Sequence, residues 1–210
     1  MTSRVIAGVG SAAPARSGTH GRVRLFVAIT PPVVALDELD AAVEPLRRGS
    51  PELRWTKPAS WHITLAFLGE VEQAAVDRLS APLASAAARH AGLRLSTAGG
   101  GAFPSARQAS VLWTGIQGDR DALRDVATSV NDGARSAGAP APEENRRFRP
   151  HITLARLREP DDVTALIAAL RGYAGASWQA DAIHLIRSHT GPQPWYESLE
   201  SWPLRVSAHP

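Results

Sequence analysis

The sequence predicts an α+β protein of two similar lobes, each a small, mainly antiparallel sheet with helices on its outer side, set around a central cleft. Three observations carry that prediction. The stretch His62-Ile63-Thr64-Leu65-Ala66-Phe67-Leu68-Gly69-Glu70 recurs as His151-Ile152-Thr153-Leu154-Ala155-Arg156-Leu157-Arg158-Glu159, so both copies read HITLAxLxE. The segments around the two copies follow in the same order, as a duplicated structural unit would. Short apolar runs alternate with helical stripes in both halves, the pattern of sheets covered by helices.

The first unit begins with a strand from Val23 to Ile29. Pro31-Pro32 breaks it, and Val34, Leu36, Leu39, Val43 and Leu46 then recur at helical spacing up to Gly49. The first HITLA copy is the next strand, followed by a helix over Glu72 to His90 and a strand over Leu93 to Thr97. In the second unit Ser110 to Ile116 matches the first strand, and Leu123, Val126, Ala127 and Val130 form the matching helical stripe before Gly133 to Pro142. The second HITLA copy follows, then a helix over Asp161 to Arg171 and a strand over Ala182 to Ser188. A final strand is expected near Tyr196 to Val206.

Residues 1–21 are rich in Gly, Ala, Ser and Pro without periodicity, so they read as a disordered extension, with a single bilobal domain over 22–210. Their apolar patch, Val5 to Val9, is short and interrupted by glycine, unlike a secretory signal core. No apolar run approaches the roughly 20 residues of a membrane-spanning helix. A soluble, cytoplasmic protein with no membrane partner is expected, and nothing in the sequence demands more than a monomer.

At 210 residues and 44% apolar, the chain is long enough to bury a core of its own. It has no cysteine, which removes disulfides, thiolate metal ligands and thiol nucleophiles and leaves the chemistry to His, carboxylates or hydroxyls. The formal charge is only +3, yet the sequence pI is near 10.1, and Arg146, Arg147 and Arg149 cluster before the second HITLA copy. Such a local positive field suits anionic ligands, although the chain favours arginine throughout, with Lys57 its single lysine.

Side chains alternate on a strand, so His62, Thr64 and Ala66 are expected on one face, with Trp61, Ile63, Leu65 and Phe67 on the other. The first face has an imidazole, a hydroxyl and a small residue, as a strand lining a polar pocket would. His151, Thr153 and Ala155 repeat it. If the two strands face one cavity, two imidazoles and two hydroxyls surround one substrate atom, which suits in-line hydrolysis of a cyclic phosphodiester. One neutral histidine takes the proton of the attacking water, and one protonated histidine supplies a proton to the departing ribose oxygen. A histidine pKa of about 6.5 keeps both forms accessible near neutrality, so a bell-shaped pH dependence is expected. Thr64 and Thr153 can donate to the non-bridging oxygens. Spacing alone does not order the two histidine roles.

His184 and His189 have no duplicated partner and read as structural or rim residues, while His20, His90 and His209 read as solvated. Neither a His-Glu-x-x-His run nor three close ligands speaks for a metal hydrolase. The other rival is a nucleotide- or RNA-binding module without turnover, for which intact His62, Thr64, His151 and Thr153 have no use.

These residues resemble the LigT-like RNA 2',3'-cyclic phosphodiesterases of the 2H phosphoesterase superfamily, which are defined by two His-x-Thr motifs. The likeness runs through Arg24 to Ile29, Trp61 to Gly69, Gly101 to Pro104, Val111 to Trp113 and Phe148 to Arg156. It implies a bilobal fold with a pseudo-two-fold axis, no cofactor or metal, RNA or oligonucleotide ends bearing a 2',3'-cyclic phosphate as partners, and a 2'-phosphomonoester as product. RNA 2'-5' ligation is an alternative activity of the same family. By this likeness His62 matches the general acid, His151 the general base, and Arg156 an arginine that holds phosphate. Simple alternation, however, turns Arg156 away from His151 unless the strand bends. Phe148 has two readings, a stacking surface for a base or a core residue.

Overall fold

The computed structural model describes residues 21–140, 148–191 and 195–206. Residues 1–20 with His20, the arginines Arg146 and Arg147, and His209 lie outside them. The elements are β1 (Arg22–Ile29), α1 (Val33–Gly49), β2 (Arg54–Trp55), β3 (Ile63–Glu72), α2 (Asp77–Ala88), β4 (Leu93–Ser105), β5 (Gln108–Gly118), α3 (Arg120–Ser136), β6 (His151–Asp161), α4 (Thr164–Leu170), β7 (Trp178–Ala180), β8 (Ala182–His189) and β9 (Trp195–Pro203). Short 3-10 turns at Pro58–Ser60 and Gln73–Ala75 flank β3.

The strands form two sheets, ordered β3-β1-β8-β9 and β2-β6-β5-β4-β7, and the neighbours in each are antiparallel. The duplicated units are recognisable in them. In the first sheet β1 lies between β3, which contains the first HITLA copy, and β8; in the second, β5 lies between β6, with the second copy, and β4. The correspondence corrects one expectation. Each repeat does not build its own sheet, because β4 follows the first unit in sequence but joins the second sheet, while β8 follows the second unit and joins the first. Both exchanged strands sit in interior positions, between β5 and β7 and between β1 and β9.

The helices respect this exchange. Helix α3 follows β5 of the second sheet yet packs on β3 of the first, beside α2, which also meets β9. The Asn131 side-chain amide of α3 donates to Leu65 O in β3 at 3.2 Å. Helix α4 packs on β4. Helix α1 reaches the region before β7 through Glu38, whose carboxylate accepts the Ala176 N–H at 2.9 Å and 3.1 Å. The core-facing sides of both sheets meet in one continuous hydrophobic core, with Leu25, Val27, Ile63 and Leu185 from the first and Leu95, Leu112, Ile152 and Leu154 from the second. Burying side chains of this size contributes about 1.5–3 kcal/mol each and favours a shared core over two separate ones.

Several strands depart from the sequence expectation. β4 runs on to Ser105 through Gly99-Gly100-Gly101, where Gly99 takes φ +61° at a register shift against β5. The glycines hid the strand from pattern reading because they weaken strand propensity while permitting the bulge. β2 and β7, of two and three residues, are too short to show alternation. No helix among the described residues is long and apolar enough to cross a membrane.

Candidate active site

His62 stands immediately before β3, and His151 is the first residue of β6. Both rings are held in the same way. His62 Nδ1 lies 2.8 Å from Ser60 O, and His151 Nδ1 lies 2.6 Å from Arg149 O, two residues back in each case. A carbonyl can only accept, so Nδ1 of each ring holds the proton and donates it.

The duplicated strands also share a β-bulge, which revises the face assignment. Against β1, Ala28 pairs with Thr64 but Val27 pairs with Ala66, so Leu65 is the extra residue. Against β5, Trp113 pairs with Thr153 but Leu112 pairs with Ala155, so Leu154 is the extra residue. An extra residue reverses the alternation beyond it. Ala66 and Ala155, expected beside the histidines, therefore turn into the core, where both are buried. Phe67 and Arg156 take their place on the histidine face. Phe67, read from simple alternation as a core residue, is 57% exposed and pairs with Phe26, while Arg156 is exposed and pairs with Val111. The strand thus does for Arg156 what simple alternation did not.

Thr64 and Thr153 are half-buried on the same face as their histidines, and neither hydroxyl is hydrogen-bonded to another described residue. Thr56 links the two motifs. Trp61 Nε1–H, beside His62, donates to Thr56 Oγ1 at 2.8 Å, and Thr56 Oγ1–H is shared between Thr153 O at 2.7 Å and Leu154 O at 2.8 Å. The Thr56 N–H also donates to Leu154 O at 2.9 Å. A fully buried tryptophan next to one histidine is thereby fixed to the bulge that follows the other.

The electrostatics of His62 reflect its burial and its charged neighbours. Burial pushes the His62 pKa from 6.5 down to about 4; the bond to Ser60 O opposes the fall, and positive charge on His151 and Arg156 adds to it. His151 and Arg156 are therefore each within electrostatic reach of His62. A surplus of positive charge around a desolvated imidazole favours an anion, which would in turn restore the imidazolium.

The aromatic surroundings differ between the two sides. The His62 ring centroid lies 4.7 Å from Phe26 and 5.2 Å from Tyr196, edge-on to the latter. The His151 ring lies 5.0 Å from Phe103 and 5.9 Å from Trp113. Trp113 covers Gly101 so closely that a Cβ there would fall 2.2 Å from the indole. Trp113 and Gly115, with Phe148 and Arg149, line part of a cavity of about 430 Å³. Phe148 is half-buried and packs against the core.

His184, read from the sequence as a structural or rim residue, lies in β8 of the first sheet. His184 pairs with Ala28, which pairs with Thr64, so His184 shares the histidine face. Burial lowers its pKa. Its signal would have been the strand order, which no single segment encodes. His189 instead stacks on Trp195 at 3.8 Å and lies 2.8 Å from Glu197, and His90 bonds Ser129 Oγ at 2.8 Å. Among the described residues no three His, Asp or Glu side chains cluster as a metal-binding set.

A family model described as the 2'-5' RNA ligase superfamily matches residues 32–192. An RNA 2',3'-cyclic phosphodiesterase of Geobacillus stearothermophilus is 32% identical over 152 residues, which cover 71% of this chain and 47% of that protein. One of the same name from Aeropyrum pernix is 34% identical over 119 residues, 57% of this chain and 65% of that protein. The chain thus spans 47% and 65% of the length of these two relatives. Among solved structures, Escherichia coli LigT complexed with 3'-AMP superposes with a TM-score of 0.66 at 25% identity, covering 88% of this chain and 99% of that one.

Proposed function

The chain belongs to the 2'-5' RNA ligase superfamily, and from that premise we propose that it hydrolyses RNA 2',3'-cyclic phosphates to 2'-phosphomonoesters, with His151 as general base and His62 as general acid. The observation that carries this reading is the convergence of two identically tethered imidazoles and Arg156. The names of the similar proteins from Geobacillus and Aeropyrum, and the 3'-AMP complex of LigT, support the substrate class.

In this reading His151 Nε2 takes a proton from water as the water oxygen bonds to phosphorus. The bond from phosphorus to O3' breaks, and His62 Nε2–H gives its proton to O3'. The water proton ends on His151, the ribose regains its 3'-hydroxyl and the phosphate stays on O2'. Each proton transfer contributes about 100- to 10,000-fold. Thr64, Thr153 and Arg156 hold the non-bridging oxygens, the arginine through its planar fork of donors. His62 is neutral at pH 7 in the free protein, given a pKa of about 4. The anionic phosphate arriving beside it is what charges it for the acid role.

Residues 22–210 act here as one bilobal domain about an approximate two-fold axis, a reading supported by the matching strand orders β3-β1-β8 and β6-β5-β4. Both histidines come from one chain, so a monomer suffices. The test is product analysis on adenosine 2',3'-cyclic phosphate with and without a chelator. Adenosine 2'-phosphate as sole product, at an unchanged rate after chelation, is expected. A 3'-phosphate product, or loss of activity on chelation, rejects the mechanism. Binding without turnover would favour a silent nucleotide-binding module.

A further inference from the structure

We propose that His184 is a further substrate-binding residue, whose imidazole hydrogen-bonds the O4' and O5' edge of the ribose that bears the cyclic phosphate. The inference rests on the acid role of His62 given above. The departing O3' belongs to that ribose and takes its proton from His62, so the sugar lies over the sheet that positions His62.

That sheet has a polar group where the far edge of the sugar falls. Thr64 in β3, Ala28 in β1 and His184 in β8 form one cross-strand row on the histidine face. Neighbouring strands lie about 4.8 Å apart, so the backbones of Thr64 and His184 are about 10 Å apart. Ala28 between them is fully buried, which leaves the half-buried side chains at either end of the row to meet a ligand. A phosphate held by Thr64 places its ribose over the middle of the row, with His184 beyond it. The equivalent row of the second sheet reads Thr153, Trp113, Gly101, and its end is covered by the Trp113 indole. A hydrogen-bonding side chain therefore ends the row only on the flank of the leaving sugar. The His184 ring has no hydrogen-bond partner among the described residues, and Ser201, its neighbour in β9, is exposed. A half-buried polar group of this kind gains when a ligand or water satisfies it. Burial lowers the His184 pKa, so near pH 7 the ring is neutral and has one N–H to donate. The ribose oxygens O4' and O5', on the edge opposite the cyclic phosphate, are acceptors for it.

The test compares three substrates in the wild type, His184→Ala and His184→Gln. They are adenosine 2',3'-cyclic phosphate, 1-O-methylribose 2',3'-cyclic phosphate, which keeps the sugar but lacks the base, and ethylene phosphate, which lacks both. His184→Ala should lower kcat/KM about three- to tenfold on the first two, as loss of one hydrogen bond does, and leave it unchanged on ethylene phosphate. His184→Gln, which keeps a donor, should recover part of the loss. Calorimetric binding of adenosine 2'-phosphate, 1-O-methylribose 2-phosphate and inorganic phosphate reads the same pattern without turnover. No loss in His184→Ala, an equal loss on all three substrates, or a loss confined to the adenosine compound overturns the inference. Wild-type protein that turns over none of the three, yet binds both sugar phosphates in a His184-dependent way and inorganic phosphate independently of it, would overturn the hydrolytic reading and uphold the contact.

Discussion

On one flank of the site the His62 ring is packed between Phe26 and Tyr196, and Phe67 stands open beyond them. On the other, Phe103 and Trp113 border His151, and Arg156 holds the place of Phe67. The two flanks arise from one sequence pattern and retain its mechanical parts: the ring tethered to the carbonyl two residues back, the threonine two residues on and the extra leucine that reverses the strand. They differ at the outward position just past the bulge, where the first has the aromatic ring of Phe67 and the second the guanidinium of Arg156.

Removing either imidazole should have the largest effect. His62→Ala and His151→Ala are each expected to lower kcat at least 100-fold on adenosine 2',3'-cyclic phosphate. The two variants should separate on a substrate whose 3'-bridging oxygen is sulfur, because a thiolate departs without a proton. His62→Ala should recover most of its loss there and His151→Ala almost none; equal recovery would show that the flanks are not divided into acid and base.

The difference in burial predicts an effect on folding as well. The His62 pKa of about 4 lies below its ordinary 6.5, so the unfolded chain binds more protons between those values and stability rises with pH across that window. The penalty is absent above about 6.5 and reaches up to about 3 kcal/mol as pH falls to about 4. Thermal melts at pH 4.5 and 7 should differ less in His62→Gln than in the wild type. An identical pH dependence in both would show that His62 is not desolvated.

The smallest change tests the link between the flanks. Thr56→Val leaves the buried Trp61 Nε1–H without its acceptor and removes the hydroxyl's bonds to Thr153 O and Leu154 O, the latter keeping its bond from the Thr56 N–H. It should cost about 1–3 kcal/mol in denaturant unfolding and slow turnover through both motifs. A variant as stable as the wild type would show that Thr56 does not couple them.

Most of the elements that frame the site could be read from the sequence because their signals are local. Val23 to Ile29, the helical stripe of α1 and the twin HITLA strands all declare themselves within their own residues. His62 and His151 stand out in the sequence through repetition, and both rings take the same tether to the carbonyl two residues back. What pattern reading misplaced depends on partners. A bulge is a property of two strands, so Ala66, Phe67, Ala155 and Arg156 were turned to the wrong faces by strict alternation. The one hint within the sequence was the pair of adjacent apolar residues, Leu65-Ala66 and Leu154-Ala155, interrupting the alternation at the same point of both copies. The traffic of β4 and β8 between sheets, which brings His184 to the site face, is encoded in no segment at all.

That traffic has a consequence for how the molecule can move. Each sheet contains, at an inside position, a strand donated by the opposite repeat, so the halves are laced together and cannot part like the jaws of a clamp without stripping a strand from both its neighbours. The two repeats therefore have to fold together, since neither completes its sheet without a strand of the other.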